Sequence, residues 1–249
     1  MAEPDSPDGS VFDVIIIGGG VAGRTAAIFT ARHGLQTLVI DSGSSIVRRN
    51  AHLENVPGFP AGVNPRHFLE LLSEQARSAG TDWLEERVSE VAETADGFAI
   101  TTAAAEVYHS STVIVATKND VTFLSNIEGI GIIERGKTFL DVDDRGRTGV
   151  KGLYAAGRVA EKPHQVAVCA GHGAEVAITI LEDDERPFYH DWVAPEGYFS
   201  DRGRDIPPGC EEIDADERNE REATSLTVMQ ERFSEPHPDA QETHPRLED

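Results

Sequence analysis

The sequence predicts an α/β fold in which a central parallel sheet carries an antiparallel meander and is followed by an acidic C-terminal extension. Three observations lead there. Val14 to Ile17 is an apolar run bounded by glycines, the pattern of a strand buried on both faces. Val21 to Ala31 follows with a small-residue helical pattern, so Gly18, Gly20 and Gly23 make a G-x-G-x-x-G between strand and helix. Further runs of the buried type recur at Thr37 to Ile40, at Thr112 to Ala116 and within Gly149 to Gly157.

The glycine spacing answers a chemical need. Gly18 permits the tight turn, Gly20 lets the backbone approach a pyrophosphate, and Gly23 lets the helix pack closely on the strand. Val21 and Ala22 open the helix, whose unpaired N–H groups face the anion. Asp41 ends the next strand, where a carboxylate accepts hydrogen bonds from a ribose. A glycine-rich turn without a ligand is the alternative, and the ordered set of strand, glycines, helix, strand and acid argues against it.

Taken in order, Met1 to Ser10 is rich in Pro, Asp, Ser and Gly and reads as disordered, and the fold begins at Val11. Ser42 to Pro65 is a long loop holding Arg48, Arg49, Asn50, His52, Asn55 and the turn Pro57-Gly58-Phe59-Pro60; loops of this length in compact domains are usually functional. Pro65 to Ala79 reads as a helix with Phe68, Leu71, Leu72 and Ala76 on one face. Val88 to Ala92, Phe98 to Thr102 and Glu106 to His109 read as a three-stranded meander turned at Ala95-Asp96-Gly97. Thr117 to Thr138 is expected to be only a short connection. Gln165 to Leu181 is a small, apolar helix suited to close packing. The domain expected is thus residues 11–181, after a disordered 1–10. In the extension, Phe188, Tyr189, Trp192, Tyr198 and Phe199 are too aromatic for disorder, so 182–233 is expected to dock on the body, with Cys210 to Phe233 as one charged helix. Residues 234–249 read as a flexible acidic tail.

Composition bounds the function. The 249 residues suffice for a full core, and 22 Lys and Arg against 44 Asp and Glu give a net charge of −22, which speaks against nucleic acid or an anionic membrane as partner. The only lysines are Lys118, Lys137, Lys151 and Lys162. A dispersed acidic surface so poor in lysine resembles proteins of salt-loving microbes, and an acidic tail that inflates the count is the simpler alternative. Two cysteines, Cys169 and Cys210, form neither a metal cage nor a C-x-x-C, and no metal site is expected. MAEPDSPDGS has neither the basic start nor the apolar core of a secretory signal, and no later run is long enough to cross a bilayer, so a cytoplasmic location is expected.

With these residues laid out, the chain resembles the thioredoxin reductase-like branch of the FAD-dependent pyridine nucleotide-disulfide oxidoreductases. The resemblance rests on GGGVAG, on LENVPGFP at Leu53 to Pro60, on VIVAT at Val113 to Thr117, and on GLYAAGRV at Gly152 to Val159 followed by Gln165-Val166-Ala167. It implies a Rossmann-like FAD-binding domain. Gly18, Gly20, Gly23 and Asp41 would hold the ADP part of FAD, Asn55 would lie beside the flavin, Gly157 near the ribityl-pyrophosphate, and Gln165, Val166 and Ala167 along the isoalloxazine.

The departures carry information too. The family inserts a second, NADPH-binding domain with a C-x-x-C after the VIVAT strand; here Lys118 to about Lys137 fills that space, and one βαβ unit already takes roughly thirty residues. No second nucleotide domain fits, and the redox pair is missing with it. Arg158 stands where the family usually has an acid, and a guanidinium there either pairs with the pyrophosphate or alters the site. Because every glycine requirement is met, retained FAD is the expectation. Lys118 replaces the glycine that usually follows Ala-Thr.

Cys169, early in the Gln165 helix, is either a redox thiol activated by the helix terminus or, as the better-supported reading, a small packed hydrophobe; the catalytic residues are otherwise unassigned. His164 and His172 either move protons near the flavin or pack the helix. Arg48 and Arg49 either reach a phosphate or stay solvated, and Arg49 is counted with the cofactor site because its loop matches a segment that borders FAD.

The resulting expectation is an FAD-binding oxidoreductase that passes hydride or electrons through the flavin to an unidentified acceptor. The alternatives are a non-catalytic flavin-binding sensor or interaction module and one subunit of a split two-domain reductase. The partners expected are FAD, an electron donor and acceptor that include a separate protein among the options, and a second copy of the chain in a homodimer.

Overall fold

The computed structural model describes residues 11–243, so the reading of 1–10 as disordered lies outside the described residues. Two compact units are present, one running to Ile180 and taking in the described residues from Gln241, the other covering Leu181–Ala240.

The first unit is built on β1 (Val11–Ile17), α1 (Val21–Arg32), β2 (Thr37–Ile40), α2 (Pro65–Ser78), β3 (Asp82–Leu84), β4 (Val88–Thr94), β5 (Gly97–Thr102), β6 (Val107–Val115), β7 (Ile132–Glu134), β8 (Thr138–Leu140), β9 (Leu153–Ala155) and most of α3 (Val166–Asp183). Its main sheet runs β3-β2-β1-β6-β5-β4, with β9 also on β6. Strands β3, β2, β1, β6 and β9 run parallel to one another, and β4, β5 and β6 form the antiparallel meander. Ile15 and Ile16 of β1 and Val113, Ile114 and Val115 of β6 are fully buried. Each such aliphatic side chain contributes about 1.5–3 kcal/mol by leaving water, which is why the apolar runs become the centre of the sheet. Asn64 caps α2 by accepting the Arg66 N–H at 2.9 Å, and Pro65 follows at the first helical position.

Three sequence expectations are corrected. Glu106 to His109 and Thr112 to Ala116 are not separate elements; β6 is one nine-residue strand that pairs with β5 in its first half and with β9 in its second. Ser110 and Ser111 lie between those two segments, and their hydroxyls are satisfied within the sheet, on the Thr112 and Asp13 carbonyls at 2.9 and 3.0 Å. The stretch Thr117 to Thr138 is more than a connection, since Thr122–Leu124 forms a 3-10 turn that buries Phe123 and Leu124 and β7 starts a hairpin with β8.

The third correction concerns the second unit. Cys210 to Phe233 is not one helix: β11 (Cys210–Ile213) pairs in parallel with β10 (Trp192–Pro195), and only then does α4 (Ala215–Arg232) begin. Asp214 sets the boundary by accepting the Glu217 N–H at 2.8 Å. The Glu212 carboxylate closes the neighbouring turn, accepting the N–H groups of Gly197, Phe199 and Ser200 and the Ser200 hydroxyl, and these bonds hold its pKa far below the usual range. Trp192, Tyr198 and Phe199 meet edge to face at centroid separations of 4.7–5.5 Å.

Candidate functional site

The ends of β1, β2 and β6 open into one cleft of about 720 Å³, within the ~300–1,000 Å³ usual for small-molecule and cofactor sites. Its position follows from the strand polarity, because ligands of open α/β sheets bind outside the carboxyl ends of the strands.

Gly18 turns the chain out of β1 with a φ of +104°, its N–H bonded to the Ile40 carbonyl at 2.8 Å; a Cβ there would stand 2.7 Å from the Ala116 oxygen. Gly20 then caps α1 without a side chain, and a Cβ at Gly20 would meet nothing within 4 Å. The helix therefore presents its first N–H groups, and open space, to the cleft. Gly23 lies behind the turn, where a Cβ would come within 2.0 Å of the Gly18 oxygen.

Of the residues singled out from the sequence, Gly18, Gly20, Val21, Ala22, Asp41, Arg49, Asn55, Arg158, Gln165, Val166 and Cys169 all line this cleft. Gly23, Gly157 and Ala167 are not among its lining residues. Gly157 acts from the side: with a φ of +74° it passes so close to α1 that a Cβ would meet the Ala22 methyl at 2.7 Å. Asn55 and Gln165, far apart in sequence, are joined by a 2.8 Å bond from Asn55 Nδ2 to Gln165 Oε1.

Sequence reasoning missed Gly19 and Arg24. A Cβ at Gly19 would stand 2.4 Å from Asp41 Oδ2, so this glycine is what lets the carboxylate come up against the turn. Arg24 pairs with Asp41 at 3.7 Å and lies over the Trp83 ring at 5.2 Å. Its Nε and Nη1 are buried without partners, and burial pulls its pKa down to about 10 against the attraction of Asp41. The position immediately after the third glycine was the one available signal for Arg24; nothing local signalled Gly19, because its neighbour Asp41 comes from β2.

Arg158 is held in place by two contacts, its guanidinium 4.8 Å over the Phe139 ring and its Nη1 donating to the Lys162 carbonyl at 3.2 Å. Cys169 is half-buried, 3.6 Å from the Pro163 carbonyl, and burial raises its thiol pKa more than its backbone hydrogen bond and Arg158 lower it. The thiol form thus prevails at neutral pH, and both cysteines are free. Among the described residues no group of three or more His, Cys, Asp or Glu is arranged to hold a metal ion.

His172, on α3, accepts the Gly157 N–H on Nδ1 at 2.9 Å, which places the proton of the neutral ring on Nε2. Burial, with a smaller contribution from Lys162, lowers its pKa from 6.5 to about 4. Because the folded value lies below the unfolded one, the neutral ring's contribution is complete above pH 6.5 and is lost as the pH falls towards 4. His172→Asn keeps an acceptor but does not titrate, so thermal melts between pH 7 and 4.5 are expected to fall more steeply for the wild type. Parallel curves would remove this role.

A mostly parallel sheet with a glycine turn, an acid after the second strand and a cleft over both is the Rossmann-type fold. Residues 12–117 match the family described as Pyridine nucleotide-disulphide oxidoreductase. Similar curated proteins are the thioredoxin reductases of Aquifex aeolicus, 35% identical over 122 residues, 47% of this chain and 36% of that protein, and of Streptomyces clavuligerus, 36% identical over 110 residues, 43% and 34% respectively. The chain spans about a third of the length of these relatives. In fold it is similar to thioredoxin reductase structures from Gloeobacter violaceus (TM-score 0.61, 17% identity, 73% of this chain and 98% of that one) and Lactococcus lactis (TM-score 0.62, 16% identity, 69% and 98%). No described helix is long and apolar enough to cross a membrane.

Proposed function

We propose that the chain is an FAD-dependent oxidoreductase whose cofactor lies in the cleft over β1, β2 and β6. The observation that carries this reading is Gly20, where a bare helix N-terminus faces open space in a cleft that also contains Asp41, Asn55 and Gln165. Bound FAD would supply the hydride or electron acceptor. The chain's own residues bind and orient it: the amides after Gly20 and the guanidiniums of Arg49 and Arg158 take the pyrophosphate, Asp41 the ribose, and Asn55 with Gln165 and Val166 the flavin end.

A second reading, a flavin-binding sensor or one subunit of a split reductase, draws on the stretch between β6 and β9. Residues 118–152 there build a 3-10 turn and one hairpin, with no second glycine turn between strand and helix. The chain has no C-x-x-C to go with such a domain.

Visible absorbance after reconstitution with FAD, followed by anaerobic NADPH and then NADH, separates the readings. Bound flavin that bleaches is the expected result and identifies a direct hydride donor. Flavin that binds and stays oxidised favours the second reading. A chain that takes up no FAD in low or high salt overturns both.

A further inference from the structure

In a chain with twice as many acids as bases, cations without carboxylate partners are a signal. Around the cleft Arg48 pairs with Glu242, Arg87 with Asp120, and Arg135 with Glu161. The carboxylates that line the cleft are engaged as well: Asp41 by Arg24, Glu54 by His52, Asp120 by Arg87, and Glu86 by the Arg87 N–H. Arg49, Lys118, Lys137 and Arg158 have no carboxylate partner among the described residues.

These four cations lie close together. Lys118 and Arg158 line the cleft with His164 and Gln165, and Lys137 projects from the tip of the β7–β8 hairpin, two residues from the Phe139 that carries Arg158. Lys118 feels Lys137 and Arg49, and His164 feels Lys118, Arg158 and Lys137; in both residues these fields add to burial in lowering the pKa. Lys118 also sits at a φ of +67°, a conformation that is strained for lysine and natural for glycine. Mutual repulsion and backbone strain are both tolerated here, on a protein whose other charges would drain such a patch.

A pyrophosphate carries two charges and has the amides of α1, Arg49 and Arg158 to meet them. Lys118 and Lys137 remain. We infer that Lys118, Lys137 and His164 form a receptor for a small polyanionic redox substrate, one bearing phosphate or carboxylate groups, that docks beside Asn55 and Gln165. The inference rests on the FAD reading above. The net charge of −22 repels anions from the chain as a whole, so a local group of cations is what lets such a ligand approach here.

The test is calorimetric titration of the FAD-loaded chain at fixed ionic strength, with pyrophosphate and citrate as separate probes. Binding of one probe per chain is expected, and Lys137→Ala and Lys118→Gly should each weaken it about tenfold while the flavin spectrum is retained. Lys118→Gly relieves the backbone strain, so misfolding does not stand in for lost binding. Pyrophosphate preferred to citrate assigns the phosphate class, and the reverse the carboxylate class. Failure of the FAD-loaded chain to bind either probe overturns the inference and leaves the FAD reading intact. So does unchanged affinity in both variants, or binding confined to the FAD-free chain and displaced by FAD. A chain that takes up no FAD overturns the cofactor reading, and this inference falls with it.

Discussion

Gly20→Ala is expected to leave the FAD-free chain folded and as stable as the wild type to within about 1 kcal/mol, while FAD affinity falls ten- to a hundredfold or more. The two effects separate because the added methyl meets no protein atom within 4 Å. Gly20 has a φ of −73° and a ψ of −173°, which alanine adopts without strain. The methyl intrudes only on the space that the proposed pyrophosphate needs to reach the first amides of α1. Thermal melts of the FAD-free proteins and equilibrium FAD titrations check both halves. Undiminished affinity in the variant would show that no phosphate approaches this turn, and the cofactor reading would lose the observation that carries it.

Gly23→Ala is expected to do the opposite, with a loss of stability of at least about 3 kcal/mol before any ligand is considered. The new Cβ would stand 2.0 Å from the Gly18 carbonyl oxygen and 3.3 Å from Ile16 Cγ2. The first of these is a backbone atom, which no rotamer change moves aside. Relief requires α1 to withdraw from β1, and α1 is a helix whose Val21, Ala22, Ala26, Ala27 and Ile28 are all buried. Lost FAD binding would follow from the displaced turn. Chemical denaturation of the FAD-free protein isolates the structural part, and a variant as stable as the wild type would mean that the helix does not pack on the strand at this distance.

The pair separates two roles that one motif combines. Gly23 serves the fold, and Gly20 serves the ligand at little cost to the fold. Gly157 belongs with the first kind, held at positive φ against Ala22 and fixed by His172.

Much of this was legible in the sequence, because it depends on neighbours along the chain. The run Val14 to Ile17, the spacing of Gly18, Gly20 and Gly23, the strand Thr37 to Ile40 and the start of α2 at Pro65 are local patterns. Strand, turn and helix leave such patterns at separations of two to four residues. The turn at Ala95-Asp96-Gly97 was legible for the same reason, and it connects β4 to β5.

The tertiary structure alone decided what depends on partners distant in sequence. Ser110 and Ser111 look like an interruption until β5 and Asp13 are placed beside them, and only then is β6 continuous. Asp82 to Leu84 becomes a strand by lying along β2, and Cys210 to Ile213 by lying along β10. Glycine at position 19 matters because Asp41 comes up beneath it, and Arg24 matters because it pairs with that same carboxylate. The cationic spot is the clearest case: Lys118, Lys137 and Arg158 come from three separate segments, and no local pattern marks them as neighbours. Sequence periodicity reports which face of an element is buried. It does not report which distant segment supplies the other half of a contact, and the pairing of Asp41 with Arg24 and the grouping of Lys118, Lys137 and Arg158 depend on such contacts.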